Sequence, residues 1–157
     1  MRRAAALLIL LAACSRGSRG GGAVDRNAAK LEHEFECASC GMIAAEQPAP
    51  RGQLVHHDGT REFFCSIGDL LTYLEAPSPH GAVIATYVEA MDPAADPRQL
   101  TFEPRPWIDA TRAGYVVGIH RERIMGKPVL SYATRADAEA VAKKYGGRVE
   151  SWKQLSP

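Results

Sequence analysis

Sulfur side chains crowd into the hexapeptide CASCGM, which holds the thiols of Cys37 and Cys40 and the thioether of Met42. Another thiol, Cys65, follows in FFCS, and Met125 opens MGKPVL. Thiols three positions apart admit a disulfide, a zinc knuckle, a redox pair or a seat for a softer metal. An oxidising compartment favours a disulfide. A closed zinc site normally needs four donors, which Cys37, Cys40 and Cys65 reach only with a histidine such as His33, His56 or His57. A thioredoxin-like pair opens a helix after a strand, whereas Gly41 follows Cys40 at once. If Cys40 to Met42 is extended, residues two apart share one side, and thiolate and thioether converge on one ion. Soft donors of this kind select Cu(I), and a thioether binds without losing a proton. The competing reading of Met42 and Met125 is packing in a core or loop. His56, His57 and His120 fall at or near expected strand ends, where a histidine can bind metal but more often packs or meets solvent.

The compartment bears on that choice. Arg2 and Arg3 precede an apolar run of roughly ten residues, Ala4 to Ala13, too short to span a bilayer and suited to the apolar region of a secretory signal. Leu11-Ala12-Ala13-Cys14 resembles a lipobox, at which bacterial signal peptidases cut so that the cysteine becomes a lipid-modified terminus. Cys14 is therefore read as an anchor and not as a ligand. Residues 1–13 are then a lipoprotein signal peptide, and 14–30 the lipidated cysteine with a glycine-, serine- and arginine-rich tether. This predicts a periplasm-facing lipoprotein of the bacterial envelope, with inner and outer membrane both open. The chain carries 19 basic and 18 acidic residues, and loss of Arg2 and Arg3 leaves 17 basic residues against 18. Such a balance implies no nucleic-acid partner.

The elements that must position the sulfurs come in two similar passes between residues 31 and 157. Gln53–His57 and Arg61–Cys65 read as strands around Asp58-Gly59, a favoured hairpin turn. From Ser66, the spacing of Ile67, Leu70, Leu71 and Leu74 predicts a helix, and AVIATYVEA supplies a third strand. The second pass has strands over Ala113–His120 and Pro128–Tyr132. Thr134 then caps a helix with Asp137 at its third position, Gly146-Gly147 stops it, and RVESW closes as a strand. Between the halves, about 31–91 and 107–157, the proline-rich stretch Asp92–Pro106 reads as an irregular connector. The predicted fold class is α+β, two tandem ββαβ-like units.

The lipobox at Cys14, CASCGM, FFCSIGDLLTYL (Phe63–Leu74), WIDATRAGYVVG (Trp107–Gly118), MGKPVLSY from Met125 and GGRVESWKQL occur in that order. Together they resemble the NosL family, copper-binding lipoproteins encoded with nitrous oxide reductase. The resemblance implies two ββαβ-like units related to part of organomercurial lyase. It also implies a carrier without turnover, which holds Cu(I) in the periplasm and delivers it to the proteins that assemble the copper centres of nitrous oxide reductase. The motif CGM implies a metal role for Cys40 and Met42, and the MG motif implies one for Met125. Cys37 and Cys65 stand as further candidates that could equally form a disulfide. The alternatives are a structural or sensory zinc lipoprotein, indifferent to Met42, and an organomercurial-lyase-like enzyme using two cysteines and an acid, Asp58 or Asp69.

Overall fold

The computed structural model describes residues 23–124 and 126–157; the signal segment, Cys14 and Met125 lie outside the described residues. The first unit starts with β1 (Gly52–His56) and β2 (Arg61–Phe64), an antiparallel hairpin closed by the Asp58-Gly59 turn. In that turn Asp58 Oδ1 accepts from the Thr60 amide at 2.8 Å, the local hydrogen bond that suits aspartate to turns. Ser66 then stops the strand and starts α1 (Ile67–Leu74), its hydroxyl oxygen accepting the Asp69 amide at 3.1 Å. β3 (Val83–Glu89) returns on the other side of β1, and β4 (Trp107–Asp109) adds to β3, giving the order β2-β1-β3-β4.

The second unit repeats the pattern with β5 (Gly114–Val117), β6 (Val129–Tyr132), α2 (Arg135–Tyr145) and β7 (Arg148–Glu150), in the sheet order β6-β5-β7. Thr134 caps α2 by accepting the Asp137 amide at 3.1 Å, as its spacing predicts. All strand pairs within the two sheets are antiparallel, and each sheet places its first strand in an interior position. The fold is thus a mixed α and β architecture of antiparallel sheets. No described helix is long and apolar enough to cross a membrane.

Three details differ from the expected elements. Trp107–Asp109 pairs with β3, so it extends the first sheet and does not open the second half. Ser151 ends β7, and its amide donates to Gln154 Oε1 at 2.9 Å, so Trp152–Leu155 becomes a short helix α3 and RVESW is a strand only to Glu150. Ahead of Leu31, residues from Asp25 to Ala29 already bond to the first sheet.

Helix α1 packs both ways, which places the start of its first turn between the halves. Leu70 enters a cluster with Leu54, Phe64, Cys37 and Cys65 on the first sheet. Ile67 enters another with Val88, Tyr115 and Val129, where the sheets meet. Leu70 and Ile67 are fully buried, each contributing about 2 kcal/mol by leaving water. Gly68 permits the closest approach: a Cβ there would stand 2.6 Å from the Lys127 carbonyl oxygen, so only glycine lets the 126–128 segment lie against the helix. The halves are also tied at the end of β3, where Ser131 Oγ donates to Glu89 O at 2.5 Å, and just beyond it, where Met91 donates its amide to Ser131 O at 2.8 Å. Beneath them the buried Arg51 guanidinium grips Glu89 at 2.7 and 2.8 Å and also donates to the carbonyls of Ala45, Gln47 and Glu103. That network fixes the chain just after CASCGM to the sheet.

Candidate metal centre

CASCGM folds as a closed turn. The Cys37 amide donates to Met42 O at 2.7 Å, and the Gly41 amide to Cys37 O at 2.8 Å. Gly41 sits at φ +74°, the left-handed region that favours glycine. Cys40 to Met42 is therefore not extended, and the expected two-residue alternation does not describe it. The turn instead carries Cys37 and Cys40 together toward the end of β2. The Ala38 amide donates to Phe63 O at 2.9 Å and Cys37 bridges Phe63, which lays the turn beside the end of β2 and the start of α1.

That docking brings Cys65 to the pair. Cys37 Sγ accepts the Cys65 amide at 3.3 Å, and Cys40 Sγ lies 3.5 Å from Cys65 Sγ. The three sulfurs all lie within 4.8 Å of one another. An ion in a trigonal sulfur site, with metal–sulfur bonds of about 2.3 Å, sets its donors about 4 Å apart, so the cluster has the right dimension. Cys37 and Cys65 are buried at 2% and 5% exposure, while Cys40 is exposed. The cluster is thus a buried pair of thiols with one thiol at the mouth.

Electrostatics sorts the thiols by charge. The Cys65 thiol donates to Cys37, and backbone amides of Cys65, Ser39 and Cys40 add to it; against the penalty of burial they pull Cys37 down to about 5. Cys65 is pushed well above the ordinary thiol range, first because it gives its proton to Cys37 and then by burial. Burial raises Cys40, opposed by hydrogen bonding at Met42. The apo cluster therefore holds one thiolate, at Cys37, and two thiols. Asp69 stands close by and is raised chiefly by burial, with the Ser66 hydroxyl opposing and the Cys37 charge adding.

The other residues singled out by sequence fall in different places. Met42 is half-buried against the Cys37, Phe64 and Leu70 cluster and also lines a notch with Cys65, Ser66, Asp69, Arg123 and Ile124. Met125 lies outside the described residues, but its neighbours reach the site: Ile124 lines the notch, and the Cβ position of Gly126 is 3.6 Å from Asp69 Oδ1. His56 is fully buried, with Nδ1 3.2 Å from Gly81 O and Nε2 2.6 Å from Glu62 Oε2, so both ring nitrogens are engaged away from the sulfurs. His57 is exposed and donates its amide to Ala82 O at 2.9 Å. Neither histidine joins the sulfur group. Of the two acids, Asp58 is engaged in its turn with Thr60 and His80, whereas Asp69 faces the notch beside Cys65.

The NosL family profile matches residues 28–157. The chain belongs to the NosL family. A copper-binding lipoprotein NosL from Stutzerimonas stutzeri is 35% identical over 122 residues, covering 76% of this chain and 61% of the relative. Another, from Achromobacter cycloclastes, is 30% identical over 112 residues, covering 70% of this chain and 58% of the relative. The match therefore spans less than two thirds of either curated relative's length. The crystal structure of the copper chaperone NosL from Shewanella denitrificans superposes with a TM-score of 0.68 at 29% identity, over 83% of this chain and 96% of that one. The NosL relation and the antiparallel sheet pairs agree with the family and α+β class expected from the motifs.

Proposed function

We propose that this NosL-family protein is a Cu(I) carrier whose cargo is held by Cys37, Cys40 and Cys65, with the thioethers of Met42 and Met125 as further donors. The observation that carries the reading is the convergence of three sulfurs with one exposed. Thiolate and thioether donors match a soft monovalent ion. Loading replaces the protons of Cys40 and Cys65 with metal, and three thiolates around Cu(I) leave a net charge of −2. The exposed Cys40 lets an incoming sulfur from a partner join the ion before a ligand leaves, so tight retention and transfer are compatible. The names of the relatives, copper-binding lipoprotein and copper chaperone, support the same assignment.

The cell-level reading completes the proposal. Cys14 carries the lipid, the domain faces the periplasm, and the copper goes to the proteins that assemble the copper centres of nitrous oxide reductase. An anaerobic competition titration of the reduced protein against a chromogenic Cu(I) chelator tests the core of it. One copper should bind tightly, be lost in Cys40→Ser, and be weakened in Cys65→Ser, Met42→Leu and Met125→Leu. Zinc binding without copper binding, with both methionine changes silent, would sink the carrier.

Asp69 favours one second reading. It brings an acid beside paired thiols, the set required for carbon–metal cleavage on a fold that we relate to part of organomercurial lyase. Release of the hydrocarbon from an organomercurial, lost in Asp69→Asn, would favour the enzyme; a bound but uncleaved organomercurial favours the carrier.

A further inference from the structure

The chain ahead of CASCGM is stitched along the first sheet in a fixed direction. Val24 meets the hairpin turn, its Cγ1 3.9 Å from the Cβ position of Gly59. At the turn end of β2, the Arg61 guanidinium donates to the carbonyls of Asn27 at 2.6 Å and Asp25 at 3.3 Å. Arg26 Nη2 donates to Ile84 O at 2.5 Å, and Tyr87 Oη donates to Arg26 O at 2.7 Å. Farther along, the fully buried Gln53 clamps Ala29 from both sides, accepting its amide at 2.9 Å and donating to its carbonyl at 3.0 Å. Gln53 pairs with Phe63, and Cys37 bridges Phe63. Residues 24–37 thus run from the turn to the sulfur cluster.

This direction separates the two ends of the unit. From Arg61 to Cys65 the strand advances about 13 Å at its usual rise per residue, so the chain upstream of Val24 departs at the end remote from the cysteines. We propose that residues 24–30 are an orienting strap. Given the lipidated Cys14 of the proposed function, on which this inference rests, the Asp58-Gly59 end faces the lipid surface and the Cys40 mouth opens on the far side. The partner that receives copper therefore meets the domain on a surface projecting away from the anchoring bilayer. Nine peptide steps separate Cys14 from Ala23 and reach at most about 30 Å. Freeing the strap up to Glu36 would more than double the number of steps and remove the bias.

The test places a fluorophore, through an azido side chain, at exposed His57 on the turn or at exposed Ser39 on the mouth. The lipidated full-length protein is bound to phosphatidylcholine–phosphatidylglycerol vesicles bearing a headgroup nitroxide quencher. The proposal expects the label at His57 to be quenched severalfold more than the label at Ser39, and the contrast to shrink in Arg61→Ala combined with Tyr87→Phe, which removes three of the bonds that hold residues 25–27. Protein that stays on vesicles with equal quenching at both positions, or with a contrast undiminished by the strap substitutions, overturns the orienting strap alone. Protein that does not stay on vesicles overturns the lipid anchor, and the orientation falls with it.

Discussion

Lowering the pH should weaken copper binding with a slope that counts the protons the cluster gives up. At pH 7 Cys37, held near 5, is already a thiolate, while Cys40 and Cys65 are raised from the ordinary thiol value of 9.0 and remain protonated. Binding one Cu(I) to all three sulfurs then releases about two protons, because each thiol must ionise to act as a ligand. The apparent log affinity should rise by about two per pH unit between about pH 6 and 8, or about 2.7 kcal/mol per unit. Below about pH 5 the slope should steepen toward three as Cys37 itself takes up a proton. The assay is a chelator competition at several pH values, corrected for the chelator's own protons, with calorimetry in buffers of different ionisation enthalpy as a second count. A slope near three at pH 7 would refute the hydrogen-bonded thiolate at Cys37. A slope near one would mean that only one protonated thiol reaches the ion, as expected if Cys40 binds with Met42 and Met125 alone.

Other perturbations probe the frame around the site. Arg51→Ala should cost about 3–5 kcal/mol in guanidinium denaturation, because it strands the buried Glu89 carboxylate. The double change Arg51→Leu with Glu89→Leu should recover much of that loss, and a single-variant loss below about 1 kcal/mol would contradict the buried pair. Ser66→Ala removes the α1 cap and should cost about 1 kcal/mol; an unchanged denaturation midpoint would contradict the capping bond. Oxidising the copper-free protein with a small disulfide should link two of the three cluster cysteines, whose sulfurs all lie within 4.8 Å of one another. Peptide mapping checks the link, and three unlinked cysteines would contradict the cluster.

What was legible in the sequence was local. Asp58-Gly59 between two apolar runs specified the hairpin, the spacing of Ile67, Leu70 and Leu74 specified α1, and Thr134 with Asp137 specified the start of α2. The long-range pairings carried no comparable signal. Trp107–Asp109 is three residues long and belongs to a sheet only because β3 offers its edge. Arg51 and Glu89 find each other across 38 positions, and Ala29 finds Gln53 across 24. At the site, CGM pointed to sulfur chemistry, but the meeting of Cys37 with Cys65 depends on the Ala38–Phe63 hydrogen bond, which composition does not announce. His56, a candidate ligand from its place at a strand end, is buried with its Nε2 2.6 Å from Glu62 Oε2 on the neighbouring strand.

Whether one Cu(I) sits among these sulfurs is read by X-ray absorption at the copper edge of the reduced, copper-loaded protein. The nearest neighbours of copper should be sulfur only, near 2.3 Å, with at least three scatterers in the wild type and fewer in Cys65→Ser. Neighbours dominated by nitrogen or oxygen, or a sulfur count unchanged by Cys65→Ser, would contradict that placement.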